Sequence, residues 1–277
     1  MKKLLKILFI VLFFLFVVIL AIPFLFKGEI MKLAKEEINN TVKAQVDWND
    51  FGISLFKGFP DLKVTLDDMS VIGIDDFAGD TLMAFEAFSV KVDLLSAFSG
   101  DVKVKSIILE KPVIRAIAID SSTMNWDITY PSDEIEEDVV DQDTSTMDMN
   151  IELREFIIRD ASIQYSDLAS DMYAAIEKFN FLLSGNFAMD YTDLDVETWS
   201  DNVTVETEGI KYLNKAVFSF RSLLGADLIN NKFTINENEL KINDIVLGLE
   251  GFFSILNDSD YGVDVNFFAK ETSFKSL

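Results

Sequence analysis

The sequence predicts a mostly β protein with an N-terminal transmembrane helix. Three observations favour this fold class: one long uncharged apolar run near the N-terminus, many short segments that alternate apolar and polar residues, and few helical patterns in the rest of the chain. At 277 residues, the chain has the length of one large domain or two small ones.

Composition excludes several classes of function. The formal net charge of -23 argues against a nucleic-acid partner, because phosphate would be repelled. The chain contains no cysteine and no histidine, so disulfides, Ser-His-Asp or Cys-His catalytic sites and Cys/His zinc sites are impossible. No GxGxxG, GxxxxGK[ST] or GxSxG motif is present. Carboxylate-only hydrolysis or a calcium site remains open, but we expect a protein that is not an enzyme, with no catalytic residue, no metal and no cofactor.

The first element is a membrane anchor, assigned with the cytoplasmic tip to residues 1–27. Lys2, Lys3 and Lys6 precede an uncharged run from Ile7 to Phe26, which matches the roughly 20 helical residues needed to span a bilayer. A cleaved signal peptide is the alternative, but its apolar core is usually shorter and no A-x-A-like site follows here. The lysines predict a cytoplasmic N-terminus, with the body across the membrane.

A short amphipathic helix follows in KGEIMKLAKEEINNTV, with Ile30, Leu33, Ala34 and Ile38 on one face. Two interpretations remain open: the helix caps the end of the soluble body, or it lies on the membrane surface. We favour the cap, and the two roles are compatible.

Beyond this helix, the strand pattern of FPDLKVTLDDMSV changes phase at Asp67-Asp68. The same h-x-h-x-x-h-x-h spacing recurs around Lys105-Ser106, Arg154-Glu155 and Asn243-Asp244. The apolar positions of the four segments are Val64, Leu66, Met69, Val71; Val102, Val104, Ile107, Leu109; Ile151, Leu153, Phe156, Ile158; and Leu240, Ile242, Ile245, Leu247. Asn-Asp and Asp-Asp also suit a tight turn, but Lys-Ser and Arg-Glu do not. We therefore predict a β-bulge at each polar pair, which keeps the apolar residues on one face around a bend.

The remaining segments are mainly strands. FSVKV places Phe88 and Val90 inward, DLLSAFSG suits one helical turn, and VIRAIAI begins a new strand after Pro112. Residues 28–130 form a first β-rich section and 149–277 a second. Between them, residues 131–148 are an acidic, weakly hydrophobic run, interpreted as a loop or linker.

A sheet with one apolar face needs a second layer, yet too few helices are visible to provide it. Either the sheet folds on itself as a sandwich or barrel, or it stays open and holds something apolar.

The first half of the chain resembles the AsmA-like proteins of double-membraned bacteria. The resemblance rests on the lysine-flanked anchor, ISLFKGFPDLKVTLDDMSVIG, FAGDTLMAFEAFSVKVDLLSAFSGDVKVKSIILEKPVIRAIAI and NWDI at Asn125 to Ile128. It implies a curved antiparallel sheet that forms a groove-like, taco-shaped body in the periplasm, anchored by a single pass in the bacterial inner membrane. It also implies that the chain is an N-terminal portion, because family members are usually longer.

The resemblance implies a function in outer-membrane assembly and lipid homeostasis. The family is similar to chorein-type bridge proteins, whose apolar grooves carry phospholipid chains. The expected partners are phospholipid acyl chains, the inner membrane and envelope or outer-membrane assembly proteins, and the 16 apolar residues of the four segments are the expected groove lining. The alternative is a non-enzymatic scaffold for envelope assembly with a closed β core.

Overall fold

The structure is a computed structural model that describes residues 27–54, 61–99, 102–130, 149–150, 153–187, 189–257 and 260–272. These residues form two α-helices, a short 3-10 helix at Asp75–Phe77 and fourteen strands. The helices are α1 (Lys27–Thr41) and α2 (Leu94–Ser99). The strands are β1 (Ala44–Asp47), β2 (Asp50–Ser54), β3 (Asp61–Gly73), β4 (Thr81–Asp93), β5 (Val102–Glu110), β6 (Val113–Ala118), β7 (Met149–Asn150), β8 (Glu155–Asp167), β9 (Met172–Ser184), β10 (Tyr191–Thr207), β11 (Ile210–Asp227), β12 (Lys232–Ile242), β13 (Ile245–Ile255) and β14 (Tyr261–Thr272).

All the strands belong to one large curved sheet, which confirms the mostly β prediction. Its main order is β1-β3-β4-β5-β8-β9-β10-β11-β12-β13-β14. The expectation of a purely antiparallel sheet is wrong, because β8 runs parallel to β5 and β6, and β7 runs parallel to β5. The connection between β6 and β8 is long enough to return the chain to the starting end, as a parallel pair requires.

β5 and β6 together form one line of pairing with β8. Glu110 pairs with Arg159 and Val113 with Ser162, so the register is unchanged across the break at Lys111-Pro112. Pro112 has no N–H to donate, but its carbonyl accepts a hydrogen bond from the Ser162 N–H at 2.8 Å. The predicted new strand after Pro112 is confirmed.

Helix α1 closes the first edge of the sheet, as the cap interpretation predicts. The Asn39 side chain donates to the Val46 carbonyl and accepts from the Val46 N–H, both at 2.8 Å, so it occupies the place of a neighbouring strand. Met31 and Ala34 pack against the buried cluster of Ala44, Val46, Trp48 and Val71. The predicted apolar face was partly wrong, since Ile30, Leu33 and Ile38 are exposed.

Among the described residues, no helix is long and apolar enough to cross a membrane. The predicted anchor, Ile7 to Phe26, lies outside them.

Of the four polar pairs, Lys105-Ser106 forms the predicted β-bulge, whereas Asp67-Asp68 does not, because Asp67 stays opposite Ala87 and Met69 opposite Phe85 in an unbroken register with β4. β3 continues through Asp67-Asp68 with Asp68 in the left-handed region at φ 52°, and Leu66, Met69 and Val71 all belong to the same apolar cluster. At Lys105 the register with β4 shifts by one residue, which is a bulge.

The other two pairs do not form bulges. Asn243-Asp244 is a two-residue hairpin turn between β12 and β13, with Ile242 opposite Ile245 and Asn243 at φ 52°. Asparagine tolerates this conformation, so the tight turn prevails here. Arg154-Glu155 marks the start of β8, and Ile151 lies outside the described part of the chain.

Candidate functional site: an open apolar face

One face of the sheet carries a continuous apolar row across nine strands. Residues directly opposite each other on paired strands point to the same face, so the register defines the row. From β3 to β13 its members are Leu66, Phe88, Leu109, Ile158, Phe181, Thr198, Phe220, Leu240 and Leu247. We call this the central row. Thr198 is its one polar member.

Two further rows flank the central row. On the side of the sheet nearer α2 lie Val64, Val90, Ile107, Phe156, Leu183, Val196 and Ser222. On the other side lie Val71, Met83, Ile114, Ile163, Ile176, Val203 and Ala216. Together the three rows form what we call the apolar face.

The opposite face is largely polar at its two ends. One of its rows reads Thr65, Ser89, Ile108, Ile157, Leu182, Glu197, Arg221 and Glu239, and the next reads Lys63, Lys91, Ser106, Glu155, Ser184 and Asp195. Arg221 and Glu197 form an ion pair across β10 and β11 at 2.8 Å. The sheet is therefore amphipathic, with Ile108, Ile157 and Leu182 as an apolar patch on its polar side.

A line of left-handed residues keeps the apolar face continuous. Asp68, Lys111, Asp160, Lys178 and Lys215 have φ between 47° and 55° in or between successive strands of the sheet. The first three lie side by side across the sheet, as the pairing of the residues just before them shows. Asp67 pairs with Ala87, Ala87 with Glu110, and Glu110 with Arg159. Lys178 and Lys215 lie next to the flanking pairs Ile176–Val203 and Val203–Ala216. We call this line the crease.

At each left-handed residue of the crease, the chain takes one extra residue between apolar positions. The steps are Leu66 to Met69, Leu109 to Pro112, Ile158 to Ala161, Ile176 to Phe179 and Leu213 to Ala216. The rings of Phe85 and Phe88 in β4 lie 6.2 Å apart, as expected if residues three apart point to the same face. The phase change seen in β3 thus recurs at the break between β5 and β6 and in β8, β9 and β11.

Burial shows that the apolar face is not a closed core. Of the nine residues in the central row only Thr198 is buried, and the other eight are half-buried. Inward-facing side chains in the middle of a sandwich would be fully covered. The helices pack at the margin instead, α1 on β1 and α2 on β4 and β5. Over residues 61–99, 102–118 and 155–255, the face has no second layer of sheet.

The structure brings most of the predicted lining residues together. Nine of them lie in the three rows: Val64, Leu66, Val71, Ile107, Leu109, Phe156, Ile158, Leu240 and Leu247. Met69 contacts the cluster under α1, and Ile242 and Ile245 face each other at the turn. Val104 pairs with Val92 and is buried, whereas Leu153 precedes β8. Val102 is described only through its backbone, and Ile151 lies outside the described residues.

Sequence reasoning missed much of the row in the second section. Phe181 and Phe220 complete the central row and Leu183 the flanking row nearer α2, and their signal was the plain alternation of FNFLL and VFSF. β9 also carries the h-x-h-x-x-h-x-h spacing, as Ala174, Ile176, Phe179 and Phe181 around Glu177-Lys178, whereas β11 has only the step from Leu213 to Ala216.

An ion cluster closes the end of the sheet next to α2. Lys105 Nζ lies 2.7 Å from both Asp61 Oδ1 and Asp93 Oδ2. Hydrogen bonds to Asp61 and then Asp93 raise the pKa of Lys105, and the Lys105 hydrogen bond, followed by the Ser96 backbone N–H, lowers the pKa of Asp93. The cluster is half-buried and stands at the Lys105 bulge, so it fixes the ends of three neighbouring strands.

Comparison with protein families matches residues 1–248 to the AsmA family, while searches of curated proteins and of solved structures give no match. The matched range covers α1, strands β1 to β12 and the first four residues of β13. It confirms the resemblance that the first half of the sequence shows and extends it into the second half. This chain belongs to the AsmA family.

Proposed function

We propose that this protein holds or conveys phospholipid along its apolar face, as a non-enzymatic component of the bacterial envelope anchored in the inner membrane. AsmA family membership supports a role in envelope and outer-membrane assembly. The observation that carries the finer proposal is the central row, which is half-buried at eight of its nine positions and has no second layer of sheet over it.

The energetics favour an apolar ligand for such a face. Each buried CH₂ contributes about 0.8 kcal/mol, so a sixteen-carbon acyl chain gains on the order of 12 kcal/mol gross when it leaves water. Strands spaced about 4.8 Å apart make the central row roughly 38 Å wide along the sheet. A lipid therefore finds similar apolar contacts at eight of the nine strands in the row, with Thr198 in β10 as the exception, and needs no strong specific contact to move.

A photocrosslinking experiment tests this proposal. A photoreactive phenylalanine analogue replaces Phe181 on the apolar face or its neighbour Leu182 on the opposite face, in cells with phosphate-labelled lipid. Both side chains are half-buried and adjacent in β9, so they differ mainly in the face they occupy. We expect labelled phospholipid on the position 181 variant and none on the position 182 variant.

Equal crosslinking at the two positions, or none at either, would contradict the proposal. Crosslinks to protein at position 181 would instead favour the scaffold alternative.

A second variant, Phe220→Asp, places a charge in the uncovered part of the central row. It should fold, because water reaches this face, but it should abolish the lipid crosslink from position 181. Val104 is a poorer position for this charge because it is buried.

A further inference from the structure

Successive connections at one end of the sheet each present an exposed aliphatic side chain. At the end next to α2, these are Leu95 in α2, Met189 between β9 and β10, Ile229 between β11 and β12, and Leu256 between β13 and β14. Their exposed fractions are 67%, 52%, 59% and 66%. We call them the tip residues.

Their arrangement suits a bilayer better than a protein partner. Neighbouring tips are two or three strands apart, which corresponds to roughly 10 to 14 Å along the sheet. Protein interfaces concentrate their energy in a packed central cluster, whereas separate loops can each insert one aliphatic side chain between lipid headgroups. Tyr191 and Tyr261 lie beside two of the tips and are also exposed, as is common for tyrosine at membrane interfaces.

The course of α1 indicates that this end faces the membrane. Lys27, at the start of α1, pairs with Asp50, which lies opposite Asp67 in β3. Asn39, near the end of α1, bonds Val46, which lies opposite Val71. The N-terminal end of α1 therefore lies nearer the start of β3, which is the end of the sheet that carries the tip residues. In the sequence, the uncharged run from Ile7 to Phe26 is joined directly to this N-terminal end of α1.

We propose that the tip residues insert into the surface of the membrane that holds the N-terminal run. Asp190, Asp227 and Asp260 flank the tips, so attraction to anionic headgroups is not the driving force. The driving force is instead the insertion of apolar side chains into a zwitterionic bilayer. This inference goes beyond lipid carriage, because a closed scaffold could dock on a bilayer in the same way.

The absence of cysteine from the chain allows a site-specific test. The full chain is reconstituted in phosphatidylcholine and phosphatidylethanolamine vesicles, with a single cysteine carrying an environment-sensitive fluorophore. The test variants are Leu256→Cys and Ile229→Cys. The controls are Leu168→Cys, in the turn between β8 and β9, and Ile210→Cys, at the start of β11; both lie at the opposite end and are 65% and 58% exposed.

We expect nitroxide-labelled lipid to quench the two tip fluorophores and aqueous iodide to quench the two controls. The proposal is overturned if lipid quenches the tip and control fluorophores equally, or if iodide does. A chain that fails to float with the vesicles overturns it as well. The Phe181 crosslink reports on a different part of the sheet, so the two proposals can fail independently.

Discussion

Lys105 shows how a single residue ties a bulge to the electrostatics of the sheet. Its side chain is 21% exposed and bonds carboxylates on β3 and at the end of β4. A bulge turns one residue out of step, and here that residue is a lysine held between two aspartates. The lowered pKa of Asp93 means that folding favours its charged form.

Lys105→Met should therefore reduce the free energy of unfolding at neutral pH and make it less sensitive to acid. The pKa of Asp93 is depressed in the folded state, so its contribution is present above the unfolded value of about 3.9 and is lost as pH falls through the folded pKa. The difference between wild type and variant should shrink below about pH 4. Urea unfolding across pH measures it.

Lys63→Met removes the same charge from an exposed position of β3, which is separated from β5 by β4, and serves as the control. If it lowers stability and changes the pH profile as much as Lys105→Met does, net charge and not the ion cluster explains the effect.

At the scale of elements, the crease depends on non-glycine residues in a left-handed conformation. Asp160 in β8 has φ 50°, a region where a β-branched side chain is strained by about 1–2 kcal/mol. Asp160→Gly should leave the free energy of unfolding within about 1 kcal/mol of wild type, because relief of strain offsets the added freedom of the unfolded chain. Asp160→Val should destabilise by about 1–2 kcal/mol.

The same substitutions at Asp264 in β14 provide the comparison. Asp264 is exposed on an extended strand, where valine is favoured over glycine. The order of the two variants in thermal unfolding should therefore reverse between positions 160 and 264. The same order at both positions would show that the crease imposes no special backbone requirement.

How much of this could be predicted depends on how local each feature is. The phase change in β3 was visible because Leu66 and Met69 stand on either side of it in one uninterrupted strand. The matching steps elsewhere include Pro112 and Ala161, which no hydrophobic pattern marks as partners of Leu109 and Ile158. At Asn243-Asp244 a local turn preference outweighed the repeat. The parallel pairing of β5 and β6 with β8 was not predictable, because pairing between segments that are distant in sequence leaves no recognisable residue pattern within either segment.

At the scale of the whole molecule, two antiparallel sections meet at one parallel joint. β1 to β6 form the first, β8 to β14 the second, and Ser106 to Ala118 pairs with Glu155 to Asp167 between them. The central row crosses this joint through Leu109 and Ile158. Backbone pairing and a shared apolar face should therefore hold the sections together without a continuous chain.

Cleavage between the two sections tests this directly. A specific protease site placed within residues 131–148 lets the chain be cut after folding, and the fragments should still co-elute in size-exclusion chromatography. Ile158→Asp places a charge in the central row at the joint, where its neighbours Leu109 and Phe181 are apolar, and should weaken the association. Fragments that separate without this substitution would mean that the linker, and not the sheet, holds the sections together. The apolar face would then be two shorter faces, each too narrow to carry a lipid from one section to the other.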